Sequence, residues 1–440
     1  MKRVLVIAYY FPPMGLSGVQ RVAKFVKYLP EYGWEVEVLT VHPGGYFAFD
    51  RGLEEEVNRS GATVHRTFSW DPTRLFGRQK TVGLPAEPTR NLLSKIGQLV
   101  FVPDNKIGWF IPAIRKGKSI LRSKPFDAIF VSAPPYTAHL IGAYLSKWSG
   151  IRLVTDFRDD WVGNPRHWYP TRLHRAINQR LEKWVLGRSS VSTTINDHIR
   201  DSLLERNGET HPDVRVLPQG FDPDDFDGQV QANRSDGKMR LVYTGVFYDV
   251  QTPDTFLRAL AALISRRPDI KSRIEAVFVG LVPPYMGDLV KELGLDTVVK
   301  CTGYLEHHEV VEFLIGADAL WLTVGKRPGS EGISTGKLYE YVGTRKPILG
   351  LVPEGTARRT LEAYGASLIA EPDNFDAVST QIEVLFEHWE SGTLPEPDFG
   401  FVNRFDRKKI AGVLAGLLEP ELILTFETDS TLDSTYDNRG

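Results

Sequence analysis

Short apolar runs alternate with amphipathic stretches along this chain, and the series occurs twice. "RVLVIAYY" reads as a strand, "FPPMGLSG" as a loop, and "VQRVAKFVKYLPEYG" as a helix with Val22, Phe25, Val26 and Leu29 on one face and Gly33 as its stop. "WEVEVLTV" then alternates as a strand does. This βαβ unit predicts a parallel sheet covered by helices on both faces. "FDAIFVSA", "IRLVTDF", "SSVSTTI" and "VRVLP" supply further strands. The series restarts with the strand "MRLVYTGVF" and the helix "TPDTFLRALAALISRRP". Strands "IEAVFVG", "VVKCTGY", "ADALWLTV" and "KPILGLV" follow, with helices "HHEVVEFLIG" and "STGKLYEYVGT" between them. Two such series in 440 residues predict an α/β protein of two doubly wound domains facing each other across a cleft. The polar, Gly- and Pro-rich stretch from Pro218 to Lys238 reads as the linker, giving domains over 1–218 and 219–400. The acidic end, "FETDSTLDSTYDNRG", is expected to be disordered over 425–440.

Composition removes several function classes. A net charge of −2 with no sustained basic stripe argues against nucleic-acid binding. The single cysteine, Cys301, rules out an internal disulfide and a cysteine-built metal site, and fits a reducing compartment. The histidines form no H-x₃-H or H-E-x-x-H pattern, and the pair His307–His308 falls on a helix start, so no metal is expected. The apolar run in "MKRVLVIAYYFPP" is too short for a signal segment or a membrane span, which predicts a cytoplasmic protein.

The stretch "EGISTGKLYEYVGTRKPILGL", Glu331 to Leu351, carries the chemistry. Ligands of parallel α/β sheets sit beyond the carboxyl ends of the strands, where helices begin with free N–H groups and a partial positive charge. Ser334 and Thr335 can cap this helix or donate to phosphate oxygens; Gly336 admits a close ligand, and Lys337 adds a full charge. Glu340 follows on the same face, where a carboxylate can accept two hydrogen bonds from a ribose diol. The pattern suits a nucleoside diphosphate; it also suits an ordinary capped helix with a solvated Lys and Glu. In "FPPMGLSGVQR", Gly15, Ser17 and Gly18 allow a tight loop that faces the cleft or simply turns the chain. It is neither a G-x-G-x-x-G fingerprint nor a P-loop, which disfavours a nicotinamide-dependent oxidoreductase.

Together, "FPPMGLSGVQR", "DFRDDW", "LPQGFDPDDF", "VYTGVF" and "GKLYEYVGTRKPI" resemble the retaining glycosyltransferases of family four, over nearly the whole chain to about Leu418. "PDNKIGW" and "FDAIFVSAPPYTAHL" are similar to a branch that builds surface polysaccharides or glycolipids. The resemblance implies the GT-B fold, two facing Rossmann-like domains. A nucleotide-sugar donor of UDP or GDP type would sit on the second, and a sugar or lipid-linked acceptor on the first. It implies no metal or other cofactor, and a helix over about 401–418 packing back on the first domain. It assigns Glu340 to the ribose, Lys337 and the helix start to the diphosphate, and Thr244 and Gly245 to the loop beside the phosphates. Gly303 and Tyr304 match the loop that receives the base, and Gly15 and Gly18 the glycine loop near the donor. Other members place a histidine just after the strand that is here "AIFVS"; His139 stands a little later, where it either substitutes or simply caps or packs. The family's glutamate pair is also displaced: Gly332 occupies the place expected for the first, beside Glu331. The Arg and Lys that follow the "TG" strand elsewhere are missing from "VFYDVQTP", which puts more weight on Lys337, with Lys326 or Arg327.

"DFRDDW" places Asp156, Arg158, Asp159 and Asp160 at a strand's carboxyl end, facing the cleft. Asp156 is a candidate catalytic base and Arg158 and Asp159 candidate acceptor contacts; the alternative is an internal Arg–Asp network that shapes the loop. The basic, aromatic stretch from Asn91 to Lys124, with Trp109, suits peripheral contact with the inner face of a membrane, or a helix pair with solvated lysines. Same-fold alternatives are a nucleotide-sugar epimerase or hydrolase, or a non-catalytic binding protein.

Overall fold

The computed structural model of the chain describes residues 1–15, 17–44, 49–71, 97–165, 167–208, 213–226, 236–247 and 250–420. The expected tail over 425–440, most of the linker after Phe226, and the start of the basic stretch at 91–96 lie outside the described residues. The first sheet contains β1 (Lys2–Ile7), β2 (Trp34–Val41), β3 (Thr63–Thr67), β4 (Ala128–Ala133), β5 (Arg152–Phe157), β6 (Val191–Thr194) and β7 (Val214–Val216). All are parallel, in the order β3-β2-β1-β4-β5-β6-β7. The second contains β8 (Met239–Thr244), β9 (Ile274–Val279), β10 (Val299–Gly303), β11 (Ala319–Thr323), β12 (Ile348–Leu351) and β13 (Ser367–Ala370), also parallel, in the order β10-β9-β8-β11-β12-β13. This is the GT-B architecture of two Rossmann-like units.

Each sheet runs outward from its first strand and then reverses on that strand's other side. Val4 of β1 pairs with Val36 on one side and Ala128 on the other; β8 stands between β9 and β11 in the same way. A crevice forms at each reversal, outside the carboxyl ends of the strands. Those ends converge on one cavity: Tyr10 beyond β1, Pro134 beyond β4, Arg158 beyond β5, Gly245 beyond β8, Gly280 beyond β9 and Tyr304 beyond β10 all border it.

The inner strands bury both faces, as covered parallel strands must: β4 and β9 are buried throughout. The helix Ser17–Tyr28 buries Val22, Phe25 and Val26, and a short 3₁₀ turn, Leu29–Tyr32, carries the chain to Gly33. Two strands fall outside the runs that the sequence marks as strands, and both lie at sheet edges. β3 is only partly buried and carries His65 and Arg66; β13 has four residues, too few to show a period.

The chain crosses between the domains twice, side by side. The Phe221 N–H donates to the Phe405 carbonyl at 2.9 Å, and the Arg407 N–H to the Phe221 carbonyl at 2.9 Å. The helix expected over about 401–418 is two helices separated by this return crossing. Phe399–Val402 belongs with the second domain's core, whereas Ile410, Ala411, Leu414 and Leu418 of Arg407–Leu418 join the first domain's core. Charge clamps the outgoing crossing: Lys27 lies 2.9 Å from Asp222 and 2.7 Å from Asp224, while Lys24 pairs with Asp222 and, at 2.8 Å, with Glu56.

Candidate functional site

The cavity between the domains encloses about 780 Å³, within the range of small-molecule sites. Its second-domain wall is built around the helix Gly336–Thr344. Neither hydroxyl ahead of that helix caps it. Thr335 occupies the N-cap position without a side-chain bond, its Oγ1 buried and unpartnered, and Ser334 Oγ is bonded to Tyr339 Oη at 2.6 Å. The first N–H groups of the helix are therefore left for a ligand. Lys337 Nζ donates to Tyr243 Oη at 2.6 Å and lies 4.0 Å from the centre of that ring. Burial pushes its ammonium down to about 7, and the nearby Glu340 charge offsets only part of that. Among the described residues Lys337 makes no ion pair. It reaches across the strand-end loop, where a Cβ on Gly245 would stand 3.4 Å from Nζ.

Glu340 is buried in the wall and accepts no hydrogen bond from any described residue. Thr244 is occupied: Tyr341 Oη lies 2.8 Å from its N–H and 3.2 Å from its hydroxyl. Tyr304, Leu305 and Val310 form a flatter, more apolar end of the cavity, where burial pushes the Tyr304 hydroxyl up to about 12. Gly303 turns the chain behind Tyr304 and does not itself border the cavity.

The first-domain wall contains Gly18, Arg158, Asp159 and Asp160; Gly15 lies behind it. Arg158 makes no pair with a carboxylate. It spends its guanidinium on backbone carbonyls, those of Gly18, Pro134 at 2.9 Å and Ala133 at 3.3 Å, and so ties the glycine loop to the ends of β4 and β5. Asp160 is bound by Arg206, with Ser202 Oγ at 2.6 Å and the Gly163 N–H at 3.1 Å. The Asp159 carboxylate has no partner among the described residues.

Residues 18–220 match the family described as Glycosyl transferase 4-like domain. The chain carries a glycosyl transferase 4-like domain. That match spans 203 of the 440 residues. It is 28% identical over 160 residues to D-inositol 3-phosphate glycosyltransferase of Thermobispora bispora, covering 32% of this chain and 37% of that protein's length. Sucrose-phosphate synthase from Thermosynechococcus elongatus superposes over 95% of this chain and 98% of its own, at TM-score 0.65 and 13% identity. HepE of Anabaena, solved in complex with UDP and glucose, superposes over 95% and 99%, at TM-score 0.62 and 16% identity.

The two catalytic candidates drawn from the first domain, Asp156 and His139, do not reach the cavity. Asp156 is fully buried below it: Arg21 Nε and an Nη bind its two oxygens at 3.0 and 2.9 Å, and Ser132 and Thr193 hydroxyls donate at 2.8 and 2.9 Å. Burial would raise this carboxyl, but Arg21 holds it below the usual carboxylate range. Arg21 also donates to the Pro218 and Leu217 carbonyls, so the pair anchors the start of the crossing. His139 is fully buried among Tyr136, Phe157 and Trp161, its Nε2 3.2 Å from the Asp156 carbonyl. Burial pushes it down to about 4. Both are wall supports, a correction to their reading as catalytic groups.

Of the other charges weighed for the diphosphate, Lys326 faces Glu371 and Asp373 away from the cavity, whereas Arg327 borders it. Glu331 is exposed and does not border the cavity; Gly332 does. The cavity residues that escape the sequence reading include His198, Gly280, and His307, which was weighed only as a metal ligand. Among the described residues no group of three or more His, Cys, Asp or Glu is arranged to hold a metal. The signal for His198 and Gly280 was available, since each closely follows the carboxyl end of a strand. Trp109, expected on a membrane-facing surface, is fully buried with Nε1 bonded to Thr67 Oγ1 at 2.7 Å.

Proposed function

We propose that the protein is a retaining glycosyltransferase that moves a sugar from a UDP- or GDP-type nucleotide sugar to an acceptor hydroxyl, in polysaccharide or glycolipid biosynthesis. The observation that carries this reading is the helix Gly336–Thr344, which directs uncapped N–H groups, an unpaired lysine and a carboxylate without hydrogen bonds into an interdomain cavity. Glu340 binds the ribose diol. Gly336, Lys337 and the Gly245 loop hold the diphosphate, and Tyr304 lies against the base. That the Anabaena neighbour was solved with UDP and glucose supports this donor class.

The reaction needs a leaving group whose developing charge is stabilised, and preorganised dipoles and a buried cation do this well. The bond from the sugar's anomeric carbon to the distal phosphate breaks, and negative charge builds on the diphosphate beside Lys337 and the helix N-terminus. The acceptor oxygen bonds the same carbon from the same face, which keeps its configuration, and its proton passes to the departing phosphate oxygen. Asp159, unpartnered on the opposite wall, orients the acceptor. No metal is required in this scheme.

No helix among the described residues is long and apolar enough to cross a membrane. A lipid-linked acceptor would be met at the inner membrane face by the helix Phe110–Ser123, where Ile111 is exposed and Lys118 and Arg122 lie over the Trp148 ring.

Thermal shifts with a panel of nucleotides and nucleotide sugars test the donor site. A shift with UDP or GDP species that is lost in Lys337→Ala and Glu340→Ala is the expected result. A folded protein that responds to no nucleotide would remove the transferase reading.

A further inference from the structure

His198 borders the cavity and has no task in the scheme above. It is the second residue of the helix Asp197–Asn207, which begins where β6 ends in the first domain. Asn196 fixes this helix start in both directions. Its Oδ1 accepts from the Ile199 N–H at 3.0 Å, which leaves its amide NH₂ to donate to the Gly332 carbonyl of the second domain, also at 3.0 Å. The neighbouring charges satisfy one another: Arg200 pairs with Asp197 at 2.7 Å and Asp201 at 2.9 Å. The His198 imidazole makes no hydrogen bond or ion pair with any described residue. It lies directly on Gly332, where any Cβ would collide with the ring. A glycine at this position is what lets a side chain of one domain rest on the loop of the other.

Position along the cavity indicates what the ring meets. A nucleotide sugar runs from ribose through diphosphate to sugar. The helix Gly336–Thr344 sets the same direction, with Glu340 one turn in and Gly336 and Lys337 at its start. Continuing outward, the next segment on the wall is Gly332 to Ser334, and all of it borders the cavity. The group beyond the diphosphate therefore lies against this segment, with His198 over it from the facing domain. We propose that His198 contacts the sugar of the nucleotide-sugar donor. A neutral imidazole offers one donor and one acceptor nitrogen, which suits a sugar hydroxyl, and Gly332 keeps the place open for it. This inference rests on the donor-site reading above. It also makes sugar-bearing donors, rather than bare diphosphates, the ligands that bridge the two domains.

Calorimetric titration separates the possibilities. The ligands are UDP, UDP-glucose, UDP-galactose, UDP-N-acetylglucosamine, GDP and GDP-mannose; the proteins are wild type, His198→Ala, His198→Asn, Gly332→Ala and Lys337→Ala. Wild type is expected to bind at least one sugar-bearing donor more tightly than the bare diphosphate. His198→Ala and Gly332→Ala should weaken that donor by about 3- to 10-fold, the loss of one hydrogen bond, and leave the bare diphosphate unchanged. His198→Asn, which keeps a donor and an acceptor, should recover part of the loss. Lys337→Ala should weaken both ligands. The sugar assignment is overturned if the His198 and Gly332 variants match wild type on every donor, or weaken bare diphosphate and donor equally, or if wild type gains nothing from any sugar. In those cases an impaired Lys337→Ala leaves the donor site standing. Wild type that binds none of the nucleotides overturns both readings.

Discussion

Lys337 should make nucleoside diphosphate binding steeply dependent on pH on the alkaline side of neutrality. Burial pushes its pKa down to about 7 from the ordinary 10.5, so the empty site holds a mixture of ammonium and amine at neutral pH. A bound diphosphate favours the ammonium and restores its pKa. The complex therefore carries a proton that the free protein loses as pH rises through about 7, and affinity falls as pH rises. Well above the free pKa each unit weakens binding by about tenfold, and since half of the sites are already deprotonated at pH 7, roughly fiftyfold separates pH 7 from pH 9. The terminal phosphate of the ligand, with a pKa near 6, is already ionised in this window and adds no slope of its own. Isothermal titration in two buffers of different ionisation enthalpy measures the linkage directly: about half a proton taken up at pH 7, and close to one at pH 9. Lys337→Arg, always charged, should bind with no such slope. Flat affinity from pH 7 to 9 with no proton uptake in the wild-type protein would refute the claim that Lys337 faces the phosphates.

Three further outcomes follow from the wall rather than the ligand. Asp156→Ala leaves the Arg21 guanidinium buried and unpaired and should cost about 3–5 kcal/mol of stability in denaturant titration, while the folded fraction still binds nucleotide; loss of binding in the folded protein would return Asp156 to the site. His139, held neutral by burial down to about 4, takes up a proton only in the unfolded chain between pH 6.5 and 4, so stability should fall by about 3 kcal/mol across that window; His139→Phe should flatten this acid limb, as followed by circular dichroism. Gly280 has φ 131° and lies against the Gly245 carbonyl, so Gly280→Ala should cost about 1–3 kcal/mol in strain. The same change should displace the phosphate-side loop, read as a weaker nucleotide-induced thermal shift than in wild type.

The fold was legible because parallel strands covered on both faces read as continuous apolar runs, as β4, β9 and β11 do. β3 and β13 were hidden for the opposite reason: an edge strand is covered on fewer sides and carries the polar residues that hide a period. The helix around Lys337 and Glu340 was legible as cavity wall because a glycine, a lysine and a glutamate stand in its first turns, and the structure lines the cavity with all three. The place of His198 was not, because it depends on a contact with Gly332, more than a hundred residues away and in the other domain.

Charged motifs were the hardest to read, and the reason is physical. "DFRDDW" contains a carboxylate bound to a distant arginine, an arginine bound to carbonyls, a second carboxylate bound to another distant arginine, and one free carboxylate. Sequence supplies all four as equal candidates, and the partners that separate them come from other elements: Arg21 from the first helix for Asp156, Gly18 from the glycine loop for Arg158, Arg206 for Asp160. A buried charge must be paired, so the paired members are the ones that hold the wall in shape. His307 shows the same logic at the crossing. Burial alone would lower its pKa, but the Asp225 carboxylate at 2.9 Å raises it on balance. Gln20 meets its other ring nitrogen at 3.0 Å while receiving Arg407 on its own oxygen at 3.1 Å. Arg407 has only hydrogens to give, so it fixes the Gln20 oxygen toward itself and the Gln20 NH₂ toward His307 Nδ1. In the neutral ring Nδ1 then accepts and Nε2–H donates to Asp225, so Gln20 and Asp225 select the tautomer. The first helix, the outgoing crossing and the returning crossing thus meet on a single imidazole at the edge of the interdomain cavity. Among the described residues Lys337 bonds only to Tyr243, and Glu340, Asp159 and His198 have no side-chain hydrogen bond, and all four border the cavity.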